Sequence, residues 1–155
     1  MTLRIVSCLT ALLLVLPVYA QDIAVCHSPK GRAYYPTMGM VPIDKSGWKD
    51  DGITGGRYTL TKQAKDFDVL YTDSTKRVAS SKGNGASVSP LRVGPDNFSI
   101  FVYYPNDTIE IYSFMRETTG ILSLHVIQSK GGDAPVHKSS ILISKCDFIN
   151  FEVIN

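Results

Sequence analysis

The residues of this chain best equipped for chemistry are few and widely spaced. Two cysteines, Cys26 and Cys146, lie near opposite ends, and each has a histidine within about ten residues, His27 and His137. The third histidine, His125, sits within an apolar run. No HxH or HExxH spacing occurs, so no metal site is expected, and no cofactor. Ser46–Gly56 (SGWKDDGITGG) holds the only tryptophan, Trp48, followed by Asp50 and Asp51. Paired carboxylates can bind a hard cation or divide acid and base roles. Neighbours in an extended chain point to opposite faces, however, so these two cooperate only if a loop turns them inward. The stretch lacks the alternating oxygen ligands of a calcium loop, and Gly55-Gly56 lacks the spacing of a phosphate loop. No GxSxG motif is present, so no catalytic residue is assigned. The candidate binding residues are therefore Trp48, Asp50, Asp51, His27 and His137. Tyr34-Tyr35 and Tyr103-Tyr104 offer a sugar or peptide platform, or simply packing. Asn97 and Asn106 each begin a glycosylation sequon.

The first twenty residues, MTLRIVSCLTALLLVLPVYA, place one arginine before an apolar run, then Pro17, then a small residue, Ala20. This is the pattern of a secretory leader cleaved after Ala20, and the apolar run is too short to span a bilayer. Cys8 precedes the apolar run, where a lipidation cysteine would follow it. Without the leader, 135 residues remain, with a formal charge of +1 and 39% apolar content. No transmembrane segment is expected in this mature chain. The expected location is the periplasm or the cell exterior. There, two remaining cysteines imply a Cys26–Cys146 disulfide. It would close a loop of about 120 residues and contribute roughly 4–5 kcal/mol in the chain-entropy account. His27 and His137 flank it and are expected near each other. The near-zero charge excludes nucleic acid as a partner, since no basic face can be assembled.

These residues must be positioned by strands. Residues 21–56 carry Pro29, Pro36 and Pro42 and six glycines, and read as an irregular N-terminal arm packed on the domain. From residue 57 to the end, β-rich runs alternate with turn residues: Arg57–Thr61, Phe67–Thr72, Arg77–Ser80, Ala86–Val93, Phe98–Tyr104, Thr108–Met115, Ile121–Gln128 and Ser140–Phe148. Asn84-Gly85 signals a hairpin, Pro90 an edge or a bulge, and Pro105-Asn106-Asp107 a turn. Short connections make neighbours antiparallel. The expected fold is all-β, about eight antiparallel strands in a meander, closed as a calycin-like barrel or folded as a β-sandwich. Gly47-Trp48 ahead of such a meander resembles the Gly-x-Trp element of lipocalin-type barrels, although the two residues are adjacent here. No functional residue is carried over from that resemblance.

Several strands are apolar on both faces. Phe98–Tyr104 sets Phe98, Ile100, Val102 and Tyr104 against Ser99, Phe101 and Tyr103. A sheet with one buried face alternates more strictly, so the second face should be covered by the arm, by a partner chain or by a ligand. The functional expectation is a non-catalytic binding or structural module, taking a small apolar ligand or a protein partner. The alternative is a small exported hydrolase with polar residues converging in a cleft. Mass spectrometry of the exported protein should find Gln21 at its N-terminus and a mass two hydrogen atoms below that of the dithiol. A mass matching two free thiols after oxidising purification would remove the disulfide.

Overall fold

A computed structural model describes residues 20–72 and 75–154, so the expected leader, Ala20 apart, lies outside the described residues. The chain forms β1 (Gln21–Tyr35), β2 (Gly47–Gly52), β3 (Arg57–Gln63), β4 (Asp66–Thr72), β5 (Val78–Ser80), β6 (Ser87–Val93), β7 (Asn97–Tyr104), β8 (Thr108–Arg116), β9 (Leu122–Lys130) and β10 (Lys138–Ile149). Single 3-10 turns lie at Ile43–Lys45 and Glu152–Ile154. All strand pairs are antiparallel, in the order β5-β4-β3-β1-β10-β9-β8-β7-β6, with β2 bonded to β1 beside that path. The sheet curls into a half-barrel rather than a sandwich of two sheets.

The eight runs expected after residue 56 correspond to β3 through β10. Residues 21–56 are not an irregular arm. They supply β1, the longest strand, and β2. On one edge β1 pairs with β10 from Ala24 opposite Ile149 to Tyr34 opposite Ser139. On its other edge residues 21–27 pair with β3 and residues 30–35 with β2. Pro29 disguised this strand, because a proline gives no N–H to a ladder and is confined to edges and bulges. Here it sits at a bulge: Ser28 takes φ 50°, and the register with β10 shifts between His27 and Lys30. The Pro29 carbonyl instead accepts from the Ile53 amide, and the Ser28 amide donates to Gly56. Ile53–Gly56 thus bulges out opposite Ser28-Pro29, and β2 and β3 run as one interrupted strand along β1.

The first and last strands pair in the middle of the sheet, and the break falls in mid-chain between β5 and β6. The turn from Ser81 to Ala86, which contains Asn84-Gly85, spans that break. The Ser81 amide donates to Val69, the Ala86 amide to Ser81, and Gly85 takes φ 86°. Pro90 lies on the edge strand β6 beside a register shift, and Asn106 takes φ 57° in the turn between β7 and β8.

The concave face holds the core. Phe98, Ile100, Val102, Phe114, Leu124, Val126, Leu60 and Val69 are all buried there. Phe98 stacks on Phe114 with centroids 4.8 Å apart. The C-terminal segment fills one end of the half-barrel: Phe151 meets Phe98 edge-on, Ile154 is buried, and Lys62 donates to the Val153 carbonyl. Residues 21–35 and 47–52 joined the sheet instead of packing across its convex face. Ile127, Ile141 and Ile143 remain about half exposed there, at 49%, 53% and 51%.

Cys26 stands directly opposite Cys146, and the two are joined in a disulfide. Five residues further along β1, a β-carbon at Gly31 would overlap the Ile141 carbonyl of β10. Gly31→Ala should therefore force β1 and β10 apart and cost more than about 2 kcal/mol in urea unfolding, at the severe end for one added methyl. A loss within experimental error would show that the two strands can separate locally at no cost.

Candidate functional site

The open end of the half-barrel carries a polar cleft on the same concave face. Side chains on one face of a pleated sheet line up in cross-strand rows. One row runs Val102, Glu110, Gln128, Ser140 across β7, β8, β9 and β10, and the next toward the mouth runs Tyr104, Thr108, Lys130, Lys138. Deeper in, Tyr112 lies two residues beyond Glu110 on β8. From the facing half, Tyr58 of β3 pairs with Tyr71 of β4. Together Tyr58, Tyr71, Tyr104, Tyr112, Glu110, Gln128, Lys130, Asp107, Thr108 and Ile53 line a cavity of about 250 Å³.

The hydrogen bonds fix these side chains. The Tyr112 hydroxyl donates to Glu110 Oε2 at 2.7 Å, and Gln128 Nε2 donates to Oε1 at 2.5 Å. The Tyr104 hydroxyl donates to Ser81 Oγ at 2.9 Å, and the Tyr71 hydroxyl accepts from Asn84 Nδ2 at 2.8 Å. The turn that bridges the break in the sheet thereby holds two walls of the cleft. Tyr58 meets Tyr112 edge-on, with centroids 5.5 Å apart. At the rim, Lys138 donates to Asp51 at 2.6 Å, and both side chains are largely buried.

Burial sets the electrostatics. It pushes the Glu110 carboxyl above the usual carboxylate range, against the opposing pull of its two hydrogen bonds and of Lys130 and Lys138. Burial likewise pushes the Tyr112, Tyr58 and Tyr104 hydroxyls above the usual tyrosine range, and the Glu110 charge adds to this. These three tyrosines stay neutral hydroxyls at physiological pH. Glu110 has no ion-pair partner within 4 Å among the described residues.

The residues singled out from sequence are scattered. Asp51 alone reaches the rim of the cleft, through Lys138. Asp50 turns to the opposite face, where it stands 3.8 Å from Arg32 in solvent, as adjacent residues of a strand must. Trp48 shares that outer face, 58% exposed, edge-on to Tyr34 and beneath Arg32. His27 pairs with Asp147 at 2.7 Å in an exposed contact beside the disulfide. His137 precedes β10 at its far end. Lys145, opposite His27, lies seven residues along that strand from Lys138, which is about 23 Å. The two histidines are not brought together. Tyr103 and Tyr104 part to opposite faces, and only Tyr104 serves the cleft.

Glu110 itself went unread in the sequence. The signal was an acid in register with Thr108, Tyr112 and Phe114 on one face of TIEIYSFM, masked by Ile109 and Ile111 on the other. Among the described residues, no group of three or more histidine, cysteine or acidic side chains is placed to hold a metal ion, and no helix is long and apolar enough to cross a membrane. Compared with protein-family models, with curated proteins and with solved structures, the chain finds no match.

The raised Glu110 carboxyl has a measurable consequence. Between the ordinary value near 4.5 and the raised value, the unfolded chain has lost this proton and the folded chain has kept it. Stability from this group therefore falls as pH rises through that window. Glu110→Gln should be more resistant to urea than the parent at neutral pH, with the advantage shrinking as pH falls toward 4.5. A variant that is weaker at every pH would show that the two hydrogen bonds outweigh burial.

Proposed function

We propose that this chain is an exported, non-catalytic binding module of the periplasm or cell exterior, which takes a small ligand in the tyrosine-lined cleft. One observation carries the reading. Four tyrosines, Glu110 and Gln128 converge from β3, β4, β7, β8 and β9 on one cavity at the open end of a half-barrel whose other end is filled. Concave sites with a few fixed polar groups on a rigid scaffold are where small molecules bind. The ligand is polar rather than apolar, since hydroxyls, an amide and a carboxyl line the cavity. Binding is favoured over hydrolysis because both Glu110 oxygens are taken by Tyr112 and Gln128, and no histidine lines the cavity.

Export is supported by the disulfide, which persists in oxidising compartments, and by the start of β1. The first strand begins at Gln21, one residue after the expected cleavage point, and Ala20 is exposed. Removal of the leader leaves every strand whole.

Native mass spectrometry of the protein exported by its own source tests this reading. A small polar ligand should be retained, and Tyr58→Ala or Tyr104→Ala should release it. A bare chain, together with tyrosine-ring NMR signals that no small polar compound shifts, would overturn it.

The convex face favours a second reading, in which two copies dock face to face. Sheet faces commonly pack on one another, and Ile127, Ile141 and Ile143 form one exposed block there. Sedimentation should then show a dimer that Ile141→Asp dissociates without loss of fold. A monomer at high concentration would remove this reading.

A further inference from the structure

Taking the cleft as the binding site, we propose that its ligand is a small organic cation, an ammonium or quaternary ammonium group, seated against the Glu110 carboxylate between the tyrosine rings. The proposal follows from the balance of charge in the cleft. Glu110 is more than nine-tenths buried, and its two hydrogen-bond donors, Tyr112 and Gln128, are both neutral. Lys138, the cation one row toward the mouth on β10, is engaged with Asp51. Lys130, in the same rim row, pulls on the carboxyl from a distance, and burial outweighs that pull. The depth of the cleft therefore holds one carboxyl with no cation in ion-pair contact among the described residues: Lys130 and Lys138 act on it only from the rim row, and a carboxylate so buried is costly unless a further cation joins it. Tyrosine rings are suited to that cation, because their faces are electron-rich and a desolvated cation over them gains further.

Other ligand classes fit less well. An anion would meet the Glu110 carboxylate. An apolar molecule would leave that carboxylate more deeply desolvated. A neutral sugar could use Gln128 and the tyrosine hydroxyls but would give the carboxylate no charge. Cation binding should also be linked to pH. The groups that face Glu110 are Tyr112 beside it, Lys130 on β9, Lys138 on β10, Tyr58 on β3 and Tyr104 on β7. With these tyrosines neutral, the carboxyl itself is the proton acceptor that a cation competes with.

The test uses the exported protein titrated with choline, with the uncharged carbon isostere of choline and with methyl glucoside, followed by calorimetry and tyrosine-ring NMR at about pH 8 and about pH 5. Choline should bind at least roughly tenfold more tightly than its isostere. Its affinity should fall at the lower pH, and Glu110→Gln should lose about the same factor while Tyr58 and Tyr104 signals stay in place. Equal affinity for choline and the isostere, or tight binding of the glucoside alone, overturns the cation while leaving the cleft as a binding site. No response of the cleft tyrosines to any of the three overturns both. The comparison of choline with its isostere needs no variant, so it stands even if Glu110→Gln fails to fold.

Discussion

The pairing of β1 with β10 is the constraint on which the rest of the structure depends. These strands are farthest apart in sequence and adjacent in the middle of the sheet, and they are cross-linked where Cys26 faces Cys146. Closing so long a loop is entropically costly, and a covalent bond transfers most of that cost to the unfolded chain. Two bulges flank the cross-link, one on each strand, and Gly31 lets the backbones approach beyond it. Once β1 is held there, its free edge orders β3 and β2 in turn, and β10 orders the run of hairpins from β9 back to β6.

That arrangement explains why the cleft lies where it does. The curl directs one face of every strand inward, and the chain has only enough apolar residues to fill part of the interior. Phe98, Phe114, Leu124 and the C-terminal Phe151 and Ile154 fill one end. Toward the other end, further rows of the same strands carry Glu110, Gln128, Lys130 and Lys138. The site is thus a change of side-chain type from one cross-strand row to another along shared strands, not an insertion or a separate loop. Its facing wall comes from β3 and β4, which the sheet could not bring round without β1 between them and β10.

Much of this was legible in the sequence. The eight strands after residue 56, the Asn84-Gly85 and Pro105-Asn106 turns, the bulge near Pro90 and the disulfide each follow from local chemistry that no tertiary contact overrides. What was hidden depended on pairing across long distances. Pro29 and the glycines made residues 21–56 look like loops, because local signals cannot show that Ser28-Pro29 sits opposite a second bulge at Ile53–Gly56. The two-faced pattern of Phe98–Tyr104 implied a covered second face; in the structure Ser99 on that face is buried, Phe101 half-buried and Tyr103 exposed. The candidate site was mostly illegible. Trp48 and Asp50 drew attention by rarity and spacing, yet strand alternation turns both outward. Glu110 drew none, since one acid in an apolar strand gives no motif, and the tyrosines around it come from four strands.

The position of the break in the sheet has a further consequence. Most meanders begin and end at their edges, whereas here the chain ends meet beside each other, with the Asn150 amide bonded to Ile23. Joining those ends and opening the chain within the Ser81–Ala86 turn would yield a plain ribbon of consecutive hairpins with the same neighbours throughout. The long-range pairing is therefore a property of where the chain is cut and not of the architecture. The cost of that permutation would fall on Tyr71 and Tyr104, which lean on the turn that would be opened, so connectivity here serves the cleft rather than the sheet.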